Sequence, residues 1–228
     1  SFKTQKGTTT AFIGSTGSGK STLINLIPRL FDCTGGAVLV DGVNVKDYTQ
    51  EDLHNRIGFI PQKATLFSGT VTSNVTYGDN GKAADTKEDV ENAIEVSQSS
   101  DFVSKMDGQL DARIAQGGTN VSGGQKQRLT IARAIARKPE ILVFDDSFSA
   151  LDYKTDHALR KALDEKEKET TKIIVAQRIG TIRHADQIIV LDHGKAVGIG
   201  THDELMKNCP VYQEIASSQL SKEELADA

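Results

Sequence analysis

Nine consecutive residues carry the first chemistry visible in this chain: Gly14-Ser15-Thr16-Gly17-Ser18-Gly19-Lys20-Ser21-Thr22. They satisfy G-x-x-x-x-G-K-[ST], directly after the apolar run Thr9–Ile13 and directly before a helical pattern, Ser21–Leu30. In that context the glycines let main-chain N–H groups curl round phosphate oxygens, and the helix start adds its positive end. Lys20 would neutralise the outer phosphates and the Ser21 hydroxyl would ligate Mg²⁺. A glycine-rich strand-to-helix turn with no ligand is the plainer alternative. The presence of every fixed position between the right flanks argues against it. A second run, Ile141-Leu142-Val143-Phe144-Asp145, is an apolar strand ending in a carboxylate. It puts an anion at the carboxyl edge of a sheet, where it can hold Mg²⁺ through a water. Alone that pattern is common; paired with the phosphate loop it is specific.

Ser122-Gly123-Gly124-Gln125 opens another helix, with Leu129, Ala132, Ile135 and Ala136 on one stripe. S-x-x-Q is a capping box in its own right. Two adjacent glycines are costly in a first helical turn unless something must approach the backbone closely, and a phosphate would be such a visitor. The chain then owns two phosphate-ready helix starts and one phosphate loop. Two copies facing each other, each giving one element to each nucleotide, account for that.

The elements that must position these residues follow from the pattern. Apolar runs at Thr9–Ile13, Ala37–Val40, Ile57–Ile60, Ile141–Phe144, Lys172–Ala176 and Gln187–Leu191 read as strands, and Ser21–Leu30, Ser122–Arg137 and Lys154–Glu169 as helices. Short apolar strands alternating with helices predict an α/β fold, a mostly parallel sheet covered on both faces. From about Ala64 to Thr119 the chain is polar, with helix-like patches and no strand, so a helical insertion over about 64–137 is expected within one domain spanning 1–228. The acidic tail Lys222–Ala228 is expected to fray. The chain begins at Ser1 without Met and reads as a fragment that starts inside a strand.

With 228 residues, 37% hydrophobic and 25% charged, and a net charge of −4 with both signs mixed, the composition is globular and carries no nucleic-acid footprint. No apolar run approaches the roughly 18 residues that span a bilayer, so a membrane role must come through a partner or through sequence outside this chain. Cys33 and Cys209 lie far apart without metal-like spacing, which fits a reducing compartment. His184, His193 and His202 also lack ligand spacing and are expected at the surface or in turns.

Asn120-Val-Ser122-Gly-Gly-Gln125 followed by Asp145-Asp-Ser-Phe-Ser-Ala-Leu-Asp152 resembles the signature motif, Walker B strand and D-loop of ATP-binding cassette proteins, and the likeness covers nearly the whole chain. Gln62 matches the Q-loop glutamine, which reaches Mg²⁺ and the attacking water. Thr65–Thr70 with Asn74, Tyr77 and Gly78 is similar to the segment typical of exporters, and Ile182–Leu205 to their final strands and Gly-Thr-His turn. The resemblance implies a P-loop NTPase fold with an inserted helical subdomain. It implies MgATP bound with a second cassette, a transmembrane domain as the other partner, no nucleic acid, and a place on the cytoplasmic face of the membrane. The aromatic that stacks adenine in this family would lie upstream of Ser1, and Phe2 reads as strand core rather than its substitute.

Two departures bear on turnover. Competent cassettes carry Glu after the Walker B Asp, as the base that polarises the lytic water, and His at the switch position; here the residues are Asp146 and Gln177. Loss of a positioned base costs about 10²–10⁴ in rate, and Gln carries no proton or positive charge. Asp146, Gln177 and Gln62 are thus the catalytic candidates of a weak site resembling the degenerate half of a heterodimeric exporter, its signature serving the partner's competent site. Two alternatives stay open: a fully active homodimeric cassette in which Asp146 works through a water, or a non-hydrolysing regulatory subunit. The neutral stretch Ala115–Thr119, usually charged in exporters, implies different contacts to the membrane domain. A DNA-maintenance ATPase would need a long coiled coil between the two halves, and a translation-associated twin cassette a second phosphate loop; neither is present.

Overall fold

The computed structural model describes residues 1–78 and 85–219. In chain order the strands and helices are β1 (Thr9–Gly14), α1 (Lys20–Ile24), β2 (Leu39–Val40), β3 (Val43–Asn44), α2 (Gln50–Arg56) and β4 (Ile57–Ile60). Next come β5 (Gly69–Thr70), α3 (Val71–Val75), α4 (Lys87–Val96), α5 (Ser100–Val103), β6 (Arg113–Ile114) and α6 (Gly123–Ala136). The last part holds β7 (Ile141–Asp145), α7 (Tyr153–Lys166), β8 (Thr171–Val175), α8 (Ile179–Ile182), β9 (Gln187–Asp192), β10 (Lys195–Gly200), α9 (His202–Asn208) and α10 (Pro210–Gln219).

Six strands form the main sheet in the order β10-β9-β1-β8-β7-β4. All neighbours are parallel except β10, which runs antiparallel to β9 and closes one edge. The strands read as continuous apolar runs because helices cover both faces. Alternate residues of one strand therefore enter different cores. Ala11 and Ile13 pack with Phe144, Ile174, Leu129 and Leu159, whereas Phe12 packs with Ile24, Leu53, Val143 and Ile189 on the opposite face. The helices of segment 64–137 join the first of these cores through Val71, Val75, Val90, Ile94 and Leu129. The α/β, P-loop type of fold, mostly parallel and flanked by helices, is thus present as expected from the sequence.

Several local expectations are corrected. The run at Ala37–Val40 is only a two-residue strand, and it leaves the main sheet to pair with β3 across Asp41-Gly42. Both turn residues have positive φ, 51° and 81°, the conformation a two-residue hairpin turn demands. Helix α1 stops at Ile24, and turns continue the chain to Arg29, which sits at φ 55°. The insertion does contain strand: β5 pairs with β6 over two residues, too short for alternation to register in the sequence. Residues 1–5 lie outside any strand, and Phe2 is 41% exposed, set edge-on against Phe12 rather than buried as strand core. His202 is buried, its Nδ1 2.8 Å from the Tyr212 hydroxyl, not at the surface or in a turn as its lack of ligand spacing suggests. Strand β10 escapes an apolar reading because it is an edge whose residues are mostly exposed. The tail 222–228 lies outside the described residues.

Candidate functional site

The phosphate loop leaves β1 where glycine alone fits. A Cβ on Gly14 would stand 2.0 Å from the Leu191 carbonyl oxygen of β9. Gly19, the residue before α1, has φ 96° in the left-handed region, and no side chain caps this helix start. Its first N–H groups therefore have no side-chain cap, which is what an anion needs. Lys20 is buried and folds back under the loop. Its Nζ donates to the carbonyl oxygens of Gly14 and Ser15, both at 2.8 Å, and to Ser18 Oγ at 3.3 Å. Burial pushes the ammonium below its usual range, while Asp146 and Asp145 pull it back up. Ser15, Thr16 and Gly17 are exposed at the rim, Ser18 is buried, and Thr22 points outward one residue past Ser21.

Parallel pairing carries the acids to the same edge. Asp145 ends β7 opposite Val175 of β8, and Ser21 Oγ donates to its Oδ1 at 2.7 Å. A hydroxyl and one carboxylate within hydrogen-bond distance are hard oxygen donors of the kind Mg²⁺ accepts when substrate phosphates complete its shell. Among the described residues no group of three or more His, Cys, Asp or Glu could hold a metal by itself. The residues present therefore fit an ion brought with a nucleotide.

Asp146 turns off the end of β7 with φ 48°, its N–H still donating to the Val175 carbonyl at 3.0 Å. Aspartate tolerates this left-handed conformation better than most residues. Its buried Oδ2 accepts from two amides, Gln177 Nε2 at 2.5 Å and Gln62 Nε2 at 3.1 Å. Burial raises the proton affinity of Asp146 above the carboxylate norm, and Asp145 adds to that. Gln177, Gln62 and Lys20 oppose it. The structure thus gathers Lys20, Ser21, Asp145, Asp146, Gln62 and Gln177, drawn from four parts of the chain, into one cluster.

Ser122, Gly123, Gly124 and Gln125 stand apart from it. Ser122 Oγ accepts from the Gln125 N–H at 3.3 Å, and Gln125 Oε1 accepts from the Ser122 N–H at 2.8 Å. The capping box is real, yet it leaves the glycine face open: a Cβ on Gly123 would meet nothing within 4 Å. A side-chain hydrogen bond links the two regions. Gln127 of α6 donates to the Pro61 carbonyl, beside Gln62, at 3.4 Å.

Two residues at the site had no signal in the sequence. Arg178, next to Gln177, donates through Nη2 to the carbonyl oxygens of Phe148 and Leu151, at 2.5 and 3.4 Å, and lies 3.8 Å from buried Asp156. Gln219, at the end of α10, bonds the main chain of the Gln177 segment from 42 residues away.

A separate cleft of about 320 Å³ lies between the sheet and α6, with Leu30, His54, Pro61, Thr65, Tyr77 and Arg133 among its lining. Phe67 and Tyr77 stack at 4.2 Å, and the Arg133 guanidinium lies 5.4 Å from each ring. Buried Asn74 fixes this corner. Its Oδ1 accepts from Phe67 N–H and Arg133, and its Nδ2 donates to the Phe67 and Thr70 carbonyls.

Residues 1–149 match the model of the family described as ABC transporter. The chain is 52% identical, over 219 residues, to an uncharacterized ABC transporter ATP-binding protein of Mycobacterium tuberculosis, covering 96% of this chain and 37% of that protein. It is 43% identical, over 215 residues, to a putative multidrug export ATP-binding/permease protein of Staphylococcus aureus, covering 94% and 37%. Among solved structures it superposes on a bacterial Atm1-family ABC exporter with ATP bound, with a TM-score of 0.91, 32% identity, and coverage of 97% of this chain and 38% of that one. The chain therefore spans little more than a third of the relatives it matches.

Proposed function

The chain belongs to the ABC transporter family of ATP-binding domains, and from that premise we propose that it binds MgATP against a second cassette to power export by a membrane transporter. One observation carries the binding site: the hydrogen bond of Ser21 to Asp145, made beside a buried Lys20. In this reading residues 14–22 cradle the phosphates, with Ser21, Asp145 and Gln62 toward Mg²⁺, which when bound would neutralise developing phosphate charge. Ser122, Gly123, Gly124 and Gln125 cap the partner's nucleotide. The core holds the phosphate loop, and the helical segment 64–137 carries the signature as a subdomain. No helix among the described residues is long and apolar enough to cross a membrane. The membrane part then belongs to sequence outside this chain, in keeping with relatives named as export ATP-binding/permease proteins. We assign the cleft beside Tyr77 and Arg133 to that part, since Leu30 and Tyr77 of its lining are exposed and exposed Phe67 stacks on Tyr77. Such an arrangement sits at the cytoplasmic face of the membrane.

The site's own turnover is proposed to be weak, as in the degenerate half of a heterodimer. Both amides that reach Asp146 converge on one oxygen, and its side chain is a methylene shorter than the glutamate it replaces. A misplaced base costs about 10²–10⁴ in rate, or roughly 3–5 kcal/mol of barrier. One observation favours a fully active cassette instead: the burial that raises the proton affinity of Asp146 also suits a general base.

Two measurements test this reading. Lys20→Ala should weaken ATP binding at least about tenfold by calorimetry, about 1.4 kcal/mol; unchanged affinity removes the phosphate-loop assignment. Turnover of the concentrated chain should be very slow. It should rise in the double variant Asp146→Glu with Gln177→His by more than the single changes sum to as free energies. Brisk turnover of the unaltered chain would instead establish Asp146 as a sufficient base.

A further inference from the structure

Helix α10 is fastened to the body of the molecule and ends at the nucleotide site. Tyr212 and Ala216 are fully buried, and His202 of α9 meets the Tyr212 hydroxyl at 2.8 Å. Gln213 Nε2 adds a bond to the Met206 carbonyl at 2.7 Å. At the helix's last residue the Gln219 amide makes two bonds. Its Nε2 donates to the Gln177 carbonyl at 2.7 Å and its Oε1 accepts from the Ile179 N–H at 2.9 Å. The pair brackets Arg178, whose own side chain is committed to the carbonyls of Phe148 and Leu151.

The local chemistry explains why help is needed there. Arg178 precedes α8 and supplies no side-chain cap, because a guanidinium has donors and no acceptor. The Ile179 N–H would be an orphan of the helix start, and Gln219 satisfies it from outside. The same amide stops the Gln177 carbonyl from swinging. The main chain on both sides of Arg178 is thereby held, and with it the direction in which the Gln177 side chain leaves.

We infer that Gln219 is a positioning residue for the nucleotide site, acting through the main chain of residues 177–179 to hold the Gln177 amide beside Asp146, where the terminal phosphate of a bound nucleotide would come. This rests on the proposed function and on the resemblance that puts Gln177 at the switch position, whose side chain contacts the γ-phosphate in this family. ADP lacks the group Gln177 would meet, so the inference predicts a selective effect rather than a general weakening.

The test uses the full chain, with Kd for MgATP and MgADP measured by displacement of a fluorescent nucleotide, and the unfolding midpoint measured alongside. Gln219→Ala should weaken MgATP about three- to tenfold while MgADP stays within about twofold, the size of loss expected for two neutral hydrogen bonds acting indirectly. Added to Gln177→Ala, it should cost nothing further. Gln219→Glu keeps the acceptor for Ile179 but sets an oxygen against the Gln177 carbonyl. It should reproduce the selective loss, and it carries the test if the alanine variant is unstable. Equal weakening of both nucleotides, or effects that add in the double variant, would overturn the inference in favour of a merely structural bond. If Gln177→Ala itself leaves ATP-over-ADP preference unchanged, the reading of Gln177 fails and takes this inference with it. If Gln177→Ala lowers that preference and Gln219→Ala does not, only the role of Gln219 falls.

Discussion

The two glycine-rich helix starts of this molecule look alike in sequence and differ in construction. At α1 the residue before the helix is Gly19, no side chain caps the first turn, and the site's cation and acids come from the same chain. At α6 Ser122 and Gln125 cap each other, Gly123 faces open space, and no acidic residue occupies the first turn. The first start is unsatisfied without a ligand and equipped to hold one. The second is satisfied alone and offers a surface. On the proposed reading the first is a complete anion site and the second a bare one, which is the physical content of the proposed dimer.

The largest expected effect breaks that comparison if it fails. In a transporter assembled with its wild-type partner, Gly123→Asp should nearly abolish ATPase activity, because a carboxylate would face the phosphate of the partner's nucleotide in a water-poor site. The isolated chain should fold normally, since an added Cβ meets nothing within 4 Å and an acid in a first helical turn is favourable. Asp146→Asn should barely change the same rate. Steady-state assays on the two variants decide it; a crippling Asp146→Asn with a mild Gly123→Asp would refute the heterodimer reading.

A medium-sized effect sharpens the contrast between a capped and an uncapped start. Ser122→Ala should destabilise the ligand-free chain by about 1 kcal/mol, the usual cost of a lost N-cap. Thermal unfolding should register this as a drop of about 2–4 °C. An unchanged midpoint would mean that the capping box contributes nothing to α6.

The smallest effect concerns the buried contact between His202 of α9 and Tyr212 of α10, the helix that ends at Gln219 beside the first site. Burial holds the His202 imidazole below its ordinary range, helped by Arg183 and His184 and opposed by Asp203. The unfolded chain then takes up a proton near pH 6.5 that the native state refuses. The associated stability is fully present above that value and is lost as pH falls below it. His202→Gln should flatten this decline, by comparison of unfolding midpoints at pH 7.5 and 5.5, with 6.5 as the His reference between them. An identical slope in both chains would show that His202 is not responsible.

Local chemistry made most of the candidate site's residues legible in the sequence. Gly14–Ser21 and Asp145 are short motifs whose residue types are dictated by phosphate and metal chemistry, and each sits at a strand end that its own apolar run announces. Asp146 and Gln177 were legible as departures from a pattern. The two-residue strands β2, β5 and β6 were not, since period-two alternation needs more residues than they have. Phe2 and His202 ran opposite to their composition: one aromatic lies against the surface of the core, and one imidazole lies inside it.

What the sequence by itself determined is the α/β frame and the residue types it carries: a G-x-x-x-x-G-K-S loop, an acid at a strand end and a second glycine-rich helix start. These depend on groups a few residues apart, whose spacing along a strand or helix is set by backbone geometry alone. Only the tertiary structure decided who touches whom. Register between β7 and β8 brings Asp145 level with Val175, so that Asp146 and Gln177 meet, and the crossover of Gln62 adds a second amide to the same oxygen. Gln219, 42 residues beyond Gln177, closes on that segment only because Tyr212 and Ala216 bury α10 in the core. Such contacts arise from the packing of distant surfaces, and no local periodicity encodes them.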